Sequence, residues 1–167
     1  MGIFTAAVAL FGKGDGLQDR DGRSGIKRSS ASSGPKPTVL IIDDDPSFLE
    51  TVRTILSSEG YDVLASSTGP KGLDMVRYAS QDIGAVLLDF NMPRFNGAET
   101  LQFLRKLRPD VKVLAVSGVN VNELPPEFRD GVQRLVPKPF NNADLLKAID
   151  EVIQGKSSAA VSAPAPA

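Results

Sequence analysis

The chain has 167 residues, with nineteen Lys/Arg against twenty Asp/Glu for a formal charge of -1, a length that fits one domain with room for flexible ends. It holds neither cysteine nor histidine, which excludes disulfides, thiolate or imidazole metal sites, a histidine general base and a phosphohistidine on the chain itself. The charge is unevenly divided: residues 1–36 carry six basic and three acidic residues, whereas 37–155 carry twelve basic and seventeen acidic, so no direct nucleic-acid contact is expected.

Gly2 to Phe11 is apolar, but about ten residues make only half a membrane span. No basic residue precedes the run, no persuasive small-residue cleavage site follows it, and Ala6 stands where a myristoylated start needs Ser or Thr. The expectation is a cytoplasmic protein without a membrane span. Residues 1–36 read as a flexible, mildly basic leader rich in Gly, Ser and charge. Within it, Gly12-Lys13-Gly14-Asp15-Gly16 lacks the Gly-Lys-Ser/Thr ending and the strand–turn–helix setting of a phosphate loop.

From residue 37 onward, strand and helix signals alternate five times. Val39-Leu40-Ile41-Ile42 predicts a strand over 38–42, and Asp45-Pro46 starts a helix with a capping side chain followed by proline. Phe48, Val52, Ile55 and Leu56 share one face of that helix, which Gly60 stops. A strand over 61–66 precedes a helix over 69–79 bearing Leu73, Met75 and Val76. A strand over 84–89 ends in Asp89, and its helix follows Asn96-Gly97 with Leu101, Leu104 and Leu107 before Pro109. The fourth strand, 111–116, leads into a weak helix, because Pro125-Pro126 falls inside its window. The last pair is a strand over 132–136 and a helix over 142–153 with Leu145, Leu146, Ile149, Val152 and Ile153. Residues 156–167 form an Ala/Pro-rich tail expected to be disordered, which leaves 37–155 as the folded domain.

Short aliphatic runs of this kind suit parallel strands buried on both faces. Five strand–helix units with right-handed crossovers give an α/β fold. The expected form is a flavodoxin-like, doubly wound, five-stranded parallel sheet of order 2-1-3-4-5 with five helices. The first and third strands then meet at the switch point, where ligands bind off the carboxyl ends. Asp43 and Asp44 are thereby brought beside Asp89, with Lys138 after the last strand.

Each residue has an ordinary explanation when taken alone. Asp45 is a helix cap, Ser117-Gly118 a common turn and Lys138 a surface lysine. Together they do not. Two carboxylates about 4 Å apart repel by roughly 4 kcal/mol at an effective dielectric of about 20, against about 5–15 kcal/mol for a whole domain's stability. Such a cluster is a liability unless a cation or protons neutralise it, and oxygen ligands without nitrogen or sulfur favour Mg2+. A carboxylate nucleophile, a divalent metal, a lysine and a hydroxyl make a set suited to phosphoryl transfer.

Four blocks carry a resemblance. They are Val39-Leu40-Ile41-Ile42-Asp43-Asp44-Asp45-Pro46, Leu87-Leu88-Asp89-Phe90-Asn91-Met92-Pro93-Arg94-Phe95-Asn96-Gly97, Val113-Leu114-Ala115-Val116-Ser117-Gly118 and Val136-Pro137-Lys138-Pro139-Phe140. Over about residues 37–154 the chain resembles a response-regulator receiver domain, the phosphorylatable half of bacterial two-component signalling. The resemblance implies that Asp89 accepts a phosphoryl group from a sensor histidine kinase or phosphotransfer protein. It also implies that Asp44, Asp89 and the Asn91 carbonyl bind Mg2+ while Asp43 holds a metal-bound water. Ser117 then contacts a phosphate oxygen, Lys138 pairs with carboxylate and later phosphate, and Lys138-Pro139 is cis. A signalling protein is implied, one that catalyses only its own phosphotransfer and dephosphorylation and acts on an unidentified downstream protein.

The sequence departs from the family's pattern at Leu135, where Tyr or Phe usually serves as a switch, at Pro137, and in the interrupted fourth helix. The expectation is that phosphorylation reshapes residues 118–131, with Val119, Val121, Leu124, Phe128 and Leu135 forming the output surface. With no effector domain after residue 155, output is expected through protein–protein contact, as in stand-alone regulators. Two alternatives stand beside this reading. One is a haloacid-dehalogenase-type phosphatase using Asp43, which needs a further acidic pair among Asp144, Asp150 and Glu151. The other is an interaction module that takes no phosphate.

Overall fold

Alternating side chains of five aliphatic strands build two apolar layers, one on each face of a single sheet. The structure, a computed structural model, describes residues 36–79 and 82–156; the expectations for residues 1–35 and 157–167 lie outside the described residues. In chain order the elements are β1 (Thr38–Ile42), α1 (Pro46–Ser58), β2 (Asp62–Ser66), α2 (Gly69–Tyr78), β3 (Ile83–Asp89), α3 (Gly97–Leu107), β4 (Val113–Ser117), α4 (Pro126–Gly131), β5 (Arg134–Pro137) and α5 (Asn142–Ile153). All pairings are parallel, in the order β2-β1-β3-β4-β5, as the crossover argument expects.

Because strand side chains alternate faces, β1 sends Leu40 and Ile42 into one core and Val39 and Ile41 into the other. Val86 and Leu88 join the first layer with residues of α2, α3 and α4, whereas Ala85 and Leu87 join the second with residues of α1 and α5. At its centre the sheet joins backbone ladders to apolar side chains on both faces, and its polar side-chain chemistry is confined to strand ends.

Four helices begin with a side-chain cap. Asp45 accepts from the Ser47 amide, Thr68 from Lys71, and Asn141 from Asp144. Asn96 and Glu99 form a reciprocal capping box at α3, satisfying two orphan donors at once. Gly60 ends α1 at φ 84°, a left-handed conformation that favours glycine. α4 is the exception: it has no side-chain cap and only six residues, with Pro126 at its first position, after a single 3-10 turn at Val121–Glu123. Pro126 is tolerated at the first helical position, where its N–H would be unpaired anyway, but it disfavours helix at Pro125 and so sets the late start of α4.

Three expectations are corrected. Leu107, placed on the buried face of α3, is 38% exposed. At about 100° per residue it lies roughly 120° round the helix from Leu101, and Arg105 takes the inward position instead. Arg105 donates to the carbonyls of Gly131, Pro109 and Val111 and to the Gln133 side chain. Leu124 and Phe128, assigned to an output surface, are 2% and 1% exposed and belong to the core. A segment too short to bury itself by helix length is held by these two side chains, Phe128 packing against Phe90 with centroids 4.9 Å apart and planes tilted by 54°. Leu135 is also a core residue, at 9% exposure. Only Val121 of the named set is well exposed, while Val119 is partly buried against the core.

Candidate functional site

β1 and β3 are adjacent, with Ile42 opposite Leu88, so the residues that follow them share one end of the sheet. Asp43 is buried and fully engaged: its amide donates to the Ser66 carbonyl at 3.1 Å, and its Oδ1 accepts from the Asp45 amide at 2.9 Å. Its Oδ2 accepts from Lys138 Nζ at 2.8 Å. Asp89 is buried beside it, with Oδ2 accepting from the Asn91 amide at 2.9 Å and Oδ1 from Lys138 Nζ at 3.0 Å. Asp44 is exposed, yet one carboxylate oxygen from each of Asp43, Asp44 and Asp89 lies within 4.8 Å of the others.

Local backbone geometry fixes this placement. Gly97 donates its amide to the Phe90 carbonyl at 3.0 Å, and a Cβ there would fall 2.4 Å from the Asp89 carbonyl oxygen. Only glycine lets the start of α3 lie so close behind Asp89. On the far side, β4 ends in the buried Ser117, whose carbonyl accepts from the Lys138 amide at 2.7 Å and whose Oγ accepts from the Val119 amide at 3.1 Å. The Lys138-Pro139 bond is cis, as the sequence resemblance implied. Asn91 is exposed, and its backbone holds Asp89.

Two buried carboxylates share one ammonium, with a third carboxylate alongside. Burial pushes the Asp89 carboxyl above its ordinary value and the charge on Asp43 adds to this, while Lys138 and the Asn91 amide act in the opposite sense. Burial alone would lower the Lys138 ammonium, but its hydrogen bonds and charge contacts with Asp43 and Asp89 prevail and raise it. The lysine is held charged, and the site keeps an excess of negative charge. Its donor set is hard oxygen without nitrogen or sulfur, which fits Mg2+.

The sequence pattern of the response regulator receiver domain matches residues 39–150. The chain belongs to that family. A transcriptional regulatory protein CpxR homolog from Haemophilus influenzae is 32% identical over 121 residues, covering 72% of this chain and 52% of that protein. The cell cycle transcriptional regulator CtrA of Caulobacter vibrioides is 28% identical over 117 residues, covering 70% of this chain and 50% of that protein. The chain thus spans about half the length of the curated relatives it matches. A receiver domain structure from Clostridium thermocellum has a TM-score of 0.66 at 26% identity, covering 72% of this chain and 96% of that one. A CheY-like receiver from Methanospirillum hungatei gives 0.64 at 30% identity, with the same coverage. The family acts in two-component signalling, and phosphorylation on an aspartate is typical of it. Receiver domains bind Mg2+ through acidic residues.

The acids that a haloacid-dehalogenase reading needs do not join the cluster. Asp144 accepts from the Asn141 side chain and Asp150 from the Tyr61 hydroxyl, while Glu151 pairs with Arg134. Among the described residues no helix is long and apolar enough to cross a membrane. The sequence reading missed one residue at the site. Phe48, assigned to the apolar face of α1, places its ring 4.2 Å from Lys138 Nζ. Its position three residues after Asp45, in the first turn of a helix that starts at the acid cluster, was the available signal.

Proposed function

We propose that Asp89 is the phosphoacceptor of this receiver, taking a phosphoryl group from a phosphohistidine on a sensor kinase or phosphotransfer protein. The observation that supports it is the position of Asp89: a buried carboxylate at a strand end, held by Lys138 and the Asn91 amide beside two further acids. A carboxylate oxygen attacks phosphorus as the phosphorus–nitrogen bond breaks, and the departing imidazole takes up a proton. Asp44, Asp89 and the Asn91 carbonyl would hold Mg2+, with Asp43 on a water bound to it; the ion supplies charge neutralisation for phosphate and acids. Lys138 keeps the Asp89 carboxylate oriented before transfer and pairs with the phosphoryl oxygens after it. No second catalytic base is required, because such transfer depends mostly on positioning and electrostatics.

Output follows from Ser117. Its Oγ accepts the Val119 amide in the unphosphorylated arrangement, and turning to donate to a phosphoryl oxygen would release that amide. The loop after β4 would then move, and an unidentified protein surface or neighbouring domain would read the change. We place this exchange in the cytoplasm, without direct contact to nucleic acid by the receiver itself.

Acetyl phosphate with Mg2+ should add one phosphate to the wild-type protein, labile to hydroxylamine, and Asp89→Asn should abolish the label. A normally labelled Asp89→Asn protein would overturn the assignment. A folded wild-type protein that takes no label at all would instead leave an interaction module.

A further inference from the structure

We propose that Phe48 is a positioning residue, holding the Lys138 ammonium on the acid pair with the face of its ring. An ammonium has three N–H donors. Two are taken by Asp43 Oδ2 and Asp89 Oδ1, and the Phe48 ring centroid lies 4.2 Å from the nitrogen. The lysine side chain is 28% exposed even with the ring beside it, so the site is partly open to water and the ring is an apolar neighbour of the nitrogen. An aromatic face at this distance attracts a cation through its quadrupole and excludes solvent as it does so.

The ring is itself held in place. Phe48 is the third residue of α1, after Pro46 and Ser47. The helix is capped by Asp45, whose amide is bound to Asp43 Oδ1. One buried acid therefore sets both the lysine, through Oδ2, and the start of the helix that presents the ring, through Oδ1. From behind, Phe140 packs edge-on against Phe48, with centroids 6.0 Å apart and planes at 80°. Phe140 comes from the segment that carries Lys138 and the cis bond to Pro139. An aliphatic side chain at position 48 would fill the same space but offer no negative face.

The consequence rests on the reading of Asp89 as phosphoacceptor: the ring keeps Lys138 aimed at the carboxylate pair, where the incoming phosphoryl oxygens need it. The test uses fluorinated phenylalanines placed at position 48 alone, which weaken the ring's negative face stepwise while nearly preserving its shape. Two quantities are read. One is the rate of self-phosphorylation from acetyl phosphate with Mg2+. The other is the nitrogen-bound proton signal of the Lys138 ammonium in the metal-free, unphosphorylated protein, which is visible only when exchange with water is slow.

The rate should fall with each added fluorine, reaching about three- to tenfold for the trifluorinated ring, and the ammonium signal should broaden in parallel. Phe48→Tyr should retain both properties and Phe48→Leu should lose both. A rate that is unchanged across the series, or that falls in Phe48→Leu while ignoring fluorine number, would reduce Phe48 to packing and overturn the proposal. Should Phe48→Leu fail to fold, the fluorinated series still decides. Absence of labelling in the wild-type protein would count against the phosphoacceptor reading, whereas the ammonium signal tests the ring contact without phosphate.

Discussion

At the carboxyl end of the sheet, Asp43, Asp89, Ser117 and Lys138 each sit at a strand end, with hydrogen bonds assigned to particular atoms. Between β4 and β5 the chain does the opposite. From Gly118 to Gly131 it has one 3-10 turn and one short uncapped helix, and it is anchored by the burial of Leu124 and Phe128. The first region carries excess charge that only a cation or proton can relieve, and it sits on a sheet whose interior is apolar. The second carries little local order of its own and takes its shape from two side chains inserted in the core. One region is thus specified by local hydrogen bonds and the other by two buried side chains.

The largest expected effect tests the anchor. Phe128→Ala should destabilise the domain by about 3–5 kcal/mol, the cost of emptying a buried aromatic site, as measured by urea unfolding. A loss below about 1 kcal/mol would show that the segment does not depend on this side chain. Next is the charge cluster. Lys138→Met leaves two buried carboxylates without their ammonium, and we expect a loss of about 2–3 kcal/mol, near the lower end for a broken buried pair because the lysine is partly exposed. Adding Asp89→Asn to that variant should recover part of the loss, since one of the two uncompensated charges is gone. Simple additivity of the two changes would contradict the shared-ammonium account.

A third measurement separates the halves of the loop. Amide exchange with and without beryllofluoride should change over 118–125 and remain nearly constant over 126–131. The Ser117 hydroxyl acts on the first stretch, whereas Phe128 and the Arg105 bonds to the Gly131 carbonyl hold the second. Equal change across both stretches would mean that α4 moves as a body, and unchanged exchange throughout would remove the loop from the output route.

The two regions also differed in how much of them the sequence disclosed. Strand ends are legible because a short aliphatic run fixes a buried parallel strand; Asp43 and Asp89 then fall at the β1–β3 switch point, and Lys138 at the same carboxyl end of the sheet after β5. The cap at Asp45 is legible because it directly precedes a proline at the first helical position. Val121, Leu124 and Phe128 stand at helical spacing, but Pro125-Pro126 breaks that period, so the local pattern does not tell a buried side chain from an exposed one; contact with Phe90 and the core decides it. Leu107 was misplaced by a pattern that matched spacing but not angle. Phe48 was placed on the correct helix face, yet its contact with Lys138 depends on a residue ninety positions away in the chain.

The smallest effect concerns how each helix begins. Asn96→Ala breaks one half of the capping box of α3 and should cost about 1 kcal/mol, because the Glu99 amide loses its partner while the backbone amide at position 96 can still donate to the Glu99 carboxylate. At α4, Pro125→Ser should move stability by less than about 0.5 kcal/mol in either direction. A serine there would supply a cap worth roughly 0.5–1 kcal/mol, while losing the proline frees the unfolded chain and costs a similar amount, about 0.4–1 kcal/mol. The two terms oppose each other, which makes the sign of any residue informative. A gain above about 1 kcal/mol would show that the missing cap, rather than the depth of Phe128, limits α4. The comparison between a locally specified site and a remotely anchored loop would then have to be redrawn with both regions under local control.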